Sequence, residues 1–179
     1  MKGETAALLL IADARLISCW EAAYDPKRSF TNSLDCSHES SSTRMKKITG
    51  SCLCGAVCFE VDDNFHQLNL CHCDQCQRAT GSAHASNLFT DPSNIRWTKG
   101  KDYVKRFDVP GRSISNAFCS ECGSGLPYVS KTGKSLIVQA GTLNNAITSN
   151  PKVRNIFWSE RADWYDEATV AEHDDAFPE

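Results

Sequence analysis

No apolar run in this chain approaches the length of about 20 residues that a membrane-spanning helix needs. Positive charge is not in excess either. Lys plus Arg number 19 against 22 for Asp plus Glu, a formal net charge of −3, and no basic tail is present. That balance argues against a general nucleic-acid binder. There is no internal repeat, and no alternation of strand and helix patterns of the kind that builds a parallel βαβ sheet. A secretory leader needs an uninterrupted apolar stretch. The one candidate, Ala6 to Ala12 ahead of Leu16-Ile17-Ser18-Cys19, is broken by Asp13 and Arg15. These absences point to a protein acting on small molecules or on other proteins in a reducing compartment, the cytoplasm.

What the chain has in quantity is cysteine: ten in 179 residues, with 41% apolar and 23% charged residues otherwise ordinary for a globular domain. A disulfide framework belongs to small secreted chains and lacks CxC and CxxC clustering. Seven thiols here are clustered: Cys52 and Cys54, then Cys71, Cys73 and Cys76, then Cys119 and Cys122. Such spacing suits metal chelation.

Two segments are expected. Residues 1–44 read as an N-terminal extension, with a marginal helix over 4–24 and a Ser/Thr-rich linker over 29–44, probed by no clustered ligand although Cys19, Cys36 and His38 lie there. Met45 opens a stretch that would serve as a chain start in its own right. Residues 45–179 read as one β-rich domain. Val57, Phe59 and Val61 alternate onto one strand face, and further short strands are expected at Leu68–Cys71, Ala85–Phe89, Asn94–Trp97, Tyr103–Phe107, Ser113–Phe118, Leu126–Val129, Ser135–Ala140 and Asn155–Trp158. Turn signals between them favour antiparallel pairing, and a short helix is expected around Trp164–Glu172.

The thiols divide four and three. Cys52 and Cys54, placed on one strand face by their i, i+2 spacing, join Cys119 and Cys122, whose Cys119-Ser120-Glu121-Cys122-Gly123 has the form of a zinc knuckle. A set of four thiolates closes a tetrahedral zinc and pins distant segments together, so this site reads as structural. Cys71, Cys73 and Cys76 make the second set: two on one face of an extended segment, the third returned by a turn. Three ligands leave its fourth position open, or filled by His72, His84, Cys58 or another group; His72 points away by alternation. Trp97, Trp158 and Trp164 read as core or rim packing.

Four stretches together, Gly50-Ser51-Cys52-Leu53-Cys54-Gly55-Ala56-Val57, Cys71-His72-Cys73-Asp74-Gln75-Cys76-Gln77-Arg78-Ala79-Thr80-Gly81-Ser82, Phe118-Cys119-Ser120-Glu121-Cys122-Gly123-Ser124 and Ala140-Gly141-Thr142-Leu143, resemble the glutathione-dependent formaldehyde-activating (GFA) family, to which centromere protein V is also related. The resemblance spans about residues 46–170. It implies a mainly β, zinc-centred β-tent fold with a short C-terminal helix and two zinc ions per chain. It also implies a structural zinc on Cys52, Cys54, Cys119 and Cys122 and a catalytic zinc on Cys71, Cys73 and Cys76. The implied activity is that of a carbon–sulfur lyase joining glutathione, or another small thiol, to formaldehyde as S-hydroxymethylglutathione. Arg78, Thr80 and Ser82 directly follow the triplet and are candidates for contact with glutathione. Cys58 and Asn155 depart from the family pattern and put the substrate in question. Two other readings stand beside the lyase: a zinc-stapled interaction module without chemistry, and an enzyme of the same fold acting on another small electrophile.

Overall fold

The computed structural model describes residues 45–177. The helix expected over 4–24 and the linker over 29–44, with Cys19, Cys36 and His38, lie outside the described residues. Among the described residues no helix is long and apolar enough to cross a membrane.

Ten short strands and two short helices follow in chain order: β1 Lys47–Ser51, β2 Cys58–Asp62, β3 Gln67–Cys71, α1 Asp74–Thr80, β4 Ala85–Thr90, β5 Arg96–Lys99, β6 Val104–Asp108, β7 Ser115–Cys119, β8 Tyr128–Val129, β9 Leu136–Gln139, β10 Lys152–Ile156 and α2 Tyr165–Ala168. They form a three-stranded sheet in the order β1-β2-β5, a five-stranded sheet in the order β10-β3-β4-β9-β8, and the hairpin β6-β7. This is the mainly β architecture that the sequence implies, with pairing antiparallel except where β10 lies parallel to β3.

The period-two pattern of β2 is a burial pattern. Val57, Phe59 and Val61 are all but inaccessible to solvent and join Ile48, Leu88, Leu126, Leu136 and Val138 in the main core. Trp97 meets Phe59 edge to face at 5.8 Å, as core packing requires. β1 has no counterpart among the expected strands. Gly50 is there for a packing reason: it pairs across the ladder with Phe59, and a Cβ at this position would sit 2.2 Å from Phe59 Cζ. The ring lies flat over a strand that has no side chain at that point.

Three further expectations are corrected. Cys52 and Cys54 do not share a strand; β1 ends at Ser51, and the two cysteines occupy the turn that follows, closed by Gly55 N–H donating to Cys52 O at 3.0 Å. The last strand covers Lys152–Ile156 rather than Asn155–Trp158, since it takes its register from β3. The C-terminal helix is one turn, Tyr165–Ala168, shorter than the expected Trp164–Glu172.

The start of β10 is held by a single carboxylate. Asp63 accepts from Thr148 N–H and Thr148 Oγ1, both at 2.6 Å, and from Ser149 N–H at 3.2 Å. Burial alone would raise the Asp63 pKa, but these donations from Thr148 and Ser149 outweigh it and hold the group below its usual 3.8. A carboxyl with a depressed native pKa contributes stability above its unfolded pKa, and that stability is lost as pH falls through the native value. Asp63→Ala is therefore expected to cost about 2 kcal/mol at pH 7. The gap to the wild type should close in acid below pH 3.8. Thermal melts of both proteins across that range check it, and a gap independent of pH would contradict it.

Candidate metal centre

The two thiol groups sit in two separate cores. In the first, Cys52 and Cys119 are buried, Cys122 is half-buried and Cys54 is exposed, and the four Sγ atoms all lie within 4.8 Å of one another. Cys52 Sγ and Cys54 Sγ are 3.5 Å apart. Cys119 closes β7, and the segment after it turns through Gly123 at φ +73°, a left-handed conformation natural to glycine, so that Gly123 N–H donates to Cys119 O at 2.9 Å. Amides are aimed at sulfur throughout: Val57 N–H at Cys52, Ala56 N–H at Cys54, Glu121 and Cys122 N–H at Cys119, and Ser124 N–H at Cys122.

The second group gathers at a junction. Cys71 ends β3. Cys73, extended at φ −64° and ψ 150°, is the residue from which α1 starts, and Cys76 lies in its first turns. The turn expected after Cys73 is thus the beginning of a helix. Cys71 Sγ and Cys73 Sγ are 3.6 Å apart, and the three sulfurs lie within 4.8 Å of one another, packed with Ala85, Ile114 and Ile156. Among the described residues no fourth cysteine, histidine or carboxylate joins them. Cys58 lies instead beside the first group, where its thiol donates to Gly55 O at 3.8 Å.

None of the eight cysteines among the described residues is in a disulfide. Their acid–base balance is set by crowding. Burial pushes the Cys71, Cys76 and Cys119 thiols up, with neighbouring sulfurs adding to the effect at Cys76. At Cys54 the Ala56 amide pulls downward, yet desolvation of the sulfur, although the residue as a whole is exposed, and hydrogen bonds to Cys52, Cys122 and Cys119 drive it up to about 12. Only Cys122 goes the other way, to about 6: burial opposes ionisation there, but donations from Ser124 and Cys54 prevail. One thiolate can be carried by the amides alone; several require positive charge between them. Soft sulfur donors in tight groups of four and three, each fed by backbone N–H groups, fit a zinc ion at each site.

The ground around the triplet is built by segments distant in sequence. Asp74 N–H donates to Glu160 Oε2 at 3.1 Å, so a carboxylate from after β10 covers the first turn of α1, favourably for the exposed amide there. Gln77 Nε2 reaches His72 O at 2.5 Å and Glu160 O at 2.9 Å. His72, between two of the cysteines, points away from them as alternation predicts, and is wholly buried. Its Nε2 donates to Asn155 Oδ1 at 3.0 Å, and its ring meets His84, Trp158 and Tyr165 edge on at 5.1, 5.0 and 4.9 Å. His72 Nδ1 has no partner among the described residues. Burial, with His72 second, keeps the His84 pKa low. Trp158 and Trp164 are rim residues, 43% and 56% exposed.

A family model described as glutathione-dependent formaldehyde-activating enzyme matches residues 47–160. The chain belongs to this family. Both thiol groups and β10 fall within the matched residues, and α2 lies beyond them. The GFA chain is also similar to a crystal structure of a Rhodobacter sphaeroides protein, at 22% identity and a TM-score of 0.48, over 59% of this chain and 99% of that one. No curated protein matches it.

The structure places the three residues after the triplet as follows. Arg78 pairs with Asp74 at 3.0 Å on the exposed face of α1, Thr80 Oγ1 donates to Cys76 O at 2.9 Å, and Ser82 is exposed beyond the helix. Sequence reasoning missed Tyr128 and Gln139, which line a hollow beside Cys76. β8 is two residues long and carries no periodic signal, and Gln139 is marked only by preceding Ala140-Gly141-Thr142-Leu143. Burial, and then the nearby Cys76 sulfur, push the Tyr128 phenol up to about 12.

Proposed function

We propose that this GFA-family protein is a zinc-dependent carbon–sulfur lyase of the cytoplasm. In this reading it joins glutathione, or a related small thiol, to formaldehyde or a similarly small aldehyde, and runs the same step in reverse. The observation that carries the reading is the triplet itself: Cys71, Cys73 and Cys76 supply three sulfurs to one point, and no fourth protein ligand stands with them among the described residues. In this assignment Cys52, Cys54, Cys119 and Cys122 hold a structural zinc, the triplet holds the reactive one, and residues 45–179 form the functional domain. Zinc bound by the triplet would supply a site that holds an incoming thiol sulfur as thiolate near neutral pH, where a free thiol is mostly protonated.

The protein's own part is to present that site. The end of β3 and the start of α1 fix the three sulfurs on regular elements rather than on a loose loop, which keeps them gathered before any ligand arrives. The Glu160 and Gln77 bonds brace the turn between them. In this reading Arg78 exchanges its surface pairing with Asp74 for a carboxylate of the thiol's peptide body, with Thr80 and Ser82 as further contacts.

Thiols add to formaldehyde unaided, so the test is a rate comparison. The zinc-loaded protein is expected to form S-hydroxymethylglutathione faster than matched buffer containing free glutathione, followed by carbon NMR, and Cys73→Ser to return the rate to that of buffer. A wild-type rate no higher than buffer would remove the lyase reading in favour of a zinc-stapled interaction module.

A further inference from the structure

β10 is the terminal strand of the five-stranded sheet, with β3 on one side and no strand on the other among the described residues. Its pairing fixes which backbone groups are spent. Lys152 N–H donates to His66 O at 3.1 Å and Ile156 O accepts from His72 N–H at 3.0 Å, so Lys152, Arg154 and Ile156 turn their backbone groups toward β3. Alternation then turns the N–H and C=O of Val153 and Asn155 outward, four hydrogen-bonding groups along an open edge. Lys152, Val153, Arg154 and Asn155 are all exposed, Val153 to 60%. Lys152 and Arg154 share a face, and neither makes an ion pair among the described residues.

The charges decide what such an edge accepts. Two copies of β10 paired about a two-fold axis, in the register that uses all four groups, would set Arg154 against Arg154, and like charges directly opposite destabilise a ladder. An acidic strand meets the opposite case, and the chain carries one. Residues 170–177, VAEHDDAF, are exposed throughout and have no regular structure from Glu172 to Asp174. Glu172 and Asp174 have the same two-residue spacing as Lys152 and Arg154, and they too make no ion pair among the described residues. The segment also departs from close to β10. Tyr165 of α2 meets the His72 ring at 4.9 Å, and His72 is bonded to Asn155 at 3.0 Å.

We propose that the open edge of β10 binds residues 170–174 of a second copy of this chain as an added antiparallel strand, the two copies exchanging these segments about a two-fold axis. Glu172 then stands opposite Arg154, and Asp174 opposite Lys152. In the same register Val153 faces His173 and Asn155 faces Ala171. Those are the pairs that exchange N–H···O bonds, so all four outward groups are satisfied. Each segment leaves from beside the β10 of its own chain, so a two-fold that brings the two edges together brings each segment to its partner's edge. Such a reciprocal exchange closes after two copies instead of running on as a filament. The assignment is independent of the carbon–sulfur chemistry.

The test follows the zinc-loaded full chain by sedimentation equilibrium. The wild type is expected to be a dimer in about 0.05 M salt, with a dissociation constant at least about tenfold higher in about 0.5 M salt. Lys152→Glu with Arg154→Glu, and separately Glu172→Lys with Asp174→Lys, should each weaken the dimer by at least about tenfold, with circular dichroism and zinc content at wild-type values. Mixed one to one, the two double variants should associate again, because the acidic edge of one meets the basic segment of the other and the reverse holds at the second contact. Amide hydrogen exchange reads the strand itself: the Val153 and Asn155 N–H groups should be protected in the dimer and exchange fast in either double variant. A wild type that stays monomeric in low salt, a dimer indifferent to both charge reversals, or a mixture that does not recover would each overturn the proposal. A monomer with Val153 and Asn155 protected would mean that the segment pairs with its own β10, and would overturn the exchange.

Discussion

Cys119→Ser is expected to unfold the domain, and Cys73→Ser to leave it folded with one zinc fewer. Cys119 is fully buried at the end of β7, and its sulfur stands among those of Cys52, Cys54 and Cys122 inside the main core. That group ties the turn after β1 to the knuckle after β7, and so joins the three-stranded sheet to the β6-β7 hairpin across a long interval of chain. Closing such a loop costs conformational entropy that a metal bond repays in the folded state only. Zinc binding free energies in structural sites of this type are about 10–16 kcal/mol in small domains, as large as the whole stability of an ordinary one. The three-sulfur group sits differently. Cys71, Cys73 and Cys76 lie within one short stretch, so a metal there closes almost no loop, and β3 is already held on both sides by β4 and β10. Circular dichroism and zinc content of the two variants decide the matter. Cys119→Ser should lose its β signature, while Cys73→Ser should retain it with about one zinc per chain. Equal loss of structure in both would contradict the division of roles.

The grouping of the thiols into four and three was legible in the cysteine spacing, and so was most of the strand pattern, for a common reason: both are local signals. Val57, Phe59 and Val61 alternate because one face of β2 is core, and a period of two survives in the sequence whatever the strand pairs with. The limits have equally particular causes. β1 hid behind Gly50, whose bare backbone makes sense only with the Phe59 ring laid across it. The helix α1 was read as a turn because its first turn is covered by Glu160, a partner no local pattern announces. Parallel pairing of β10 with β3 shifted the last strand upstream, since the register is dictated by residues far back along the chain. The hollow beside Cys76 draws its walls from α1, β4, β7, β8 and β9, so it could not be seen before those elements met. Metal ligands are recognised by spacing; substrate contacts are assembled by topology.

The largest functional effect is expected from a change of one group on the ligand. Glutathione should bind the zinc-loaded protein through its sulfur, and S-methylglutathione, which shares its peptide body and both carboxylates but cannot become a thiolate, should bind at least about tenfold more weakly, a difference of about 1.4 kcal/mol. If Arg78, Thr80 and Ser82 supplied most of the affinity, the two ligands would bind alike, because those residues would meet the same carboxylates and amides in both. The proton count separates the cases independently. A thiol that enters as thiolate leaves its proton behind, so calorimetry in two buffers of different ionisation enthalpy should return about one proton released per glutathione at neutral pH and none for the thioether. Cys73→Ser, which keeps α1 and its surface residues but removes one of the three sulfurs, should reduce glutathione to the affinity of S-methylglutathione and abolish the proton release. Arg78→Ala should weaken both ligands by the same factor and leave the proton count unchanged, since a carboxylate contact is indifferent to the state of the sulfur. Equal binding of thiol and thioether with no proton released would mean that the triplet does not engage the ligand's sulfur, and the carbon–sulfur chemistry would then have no site on this chain.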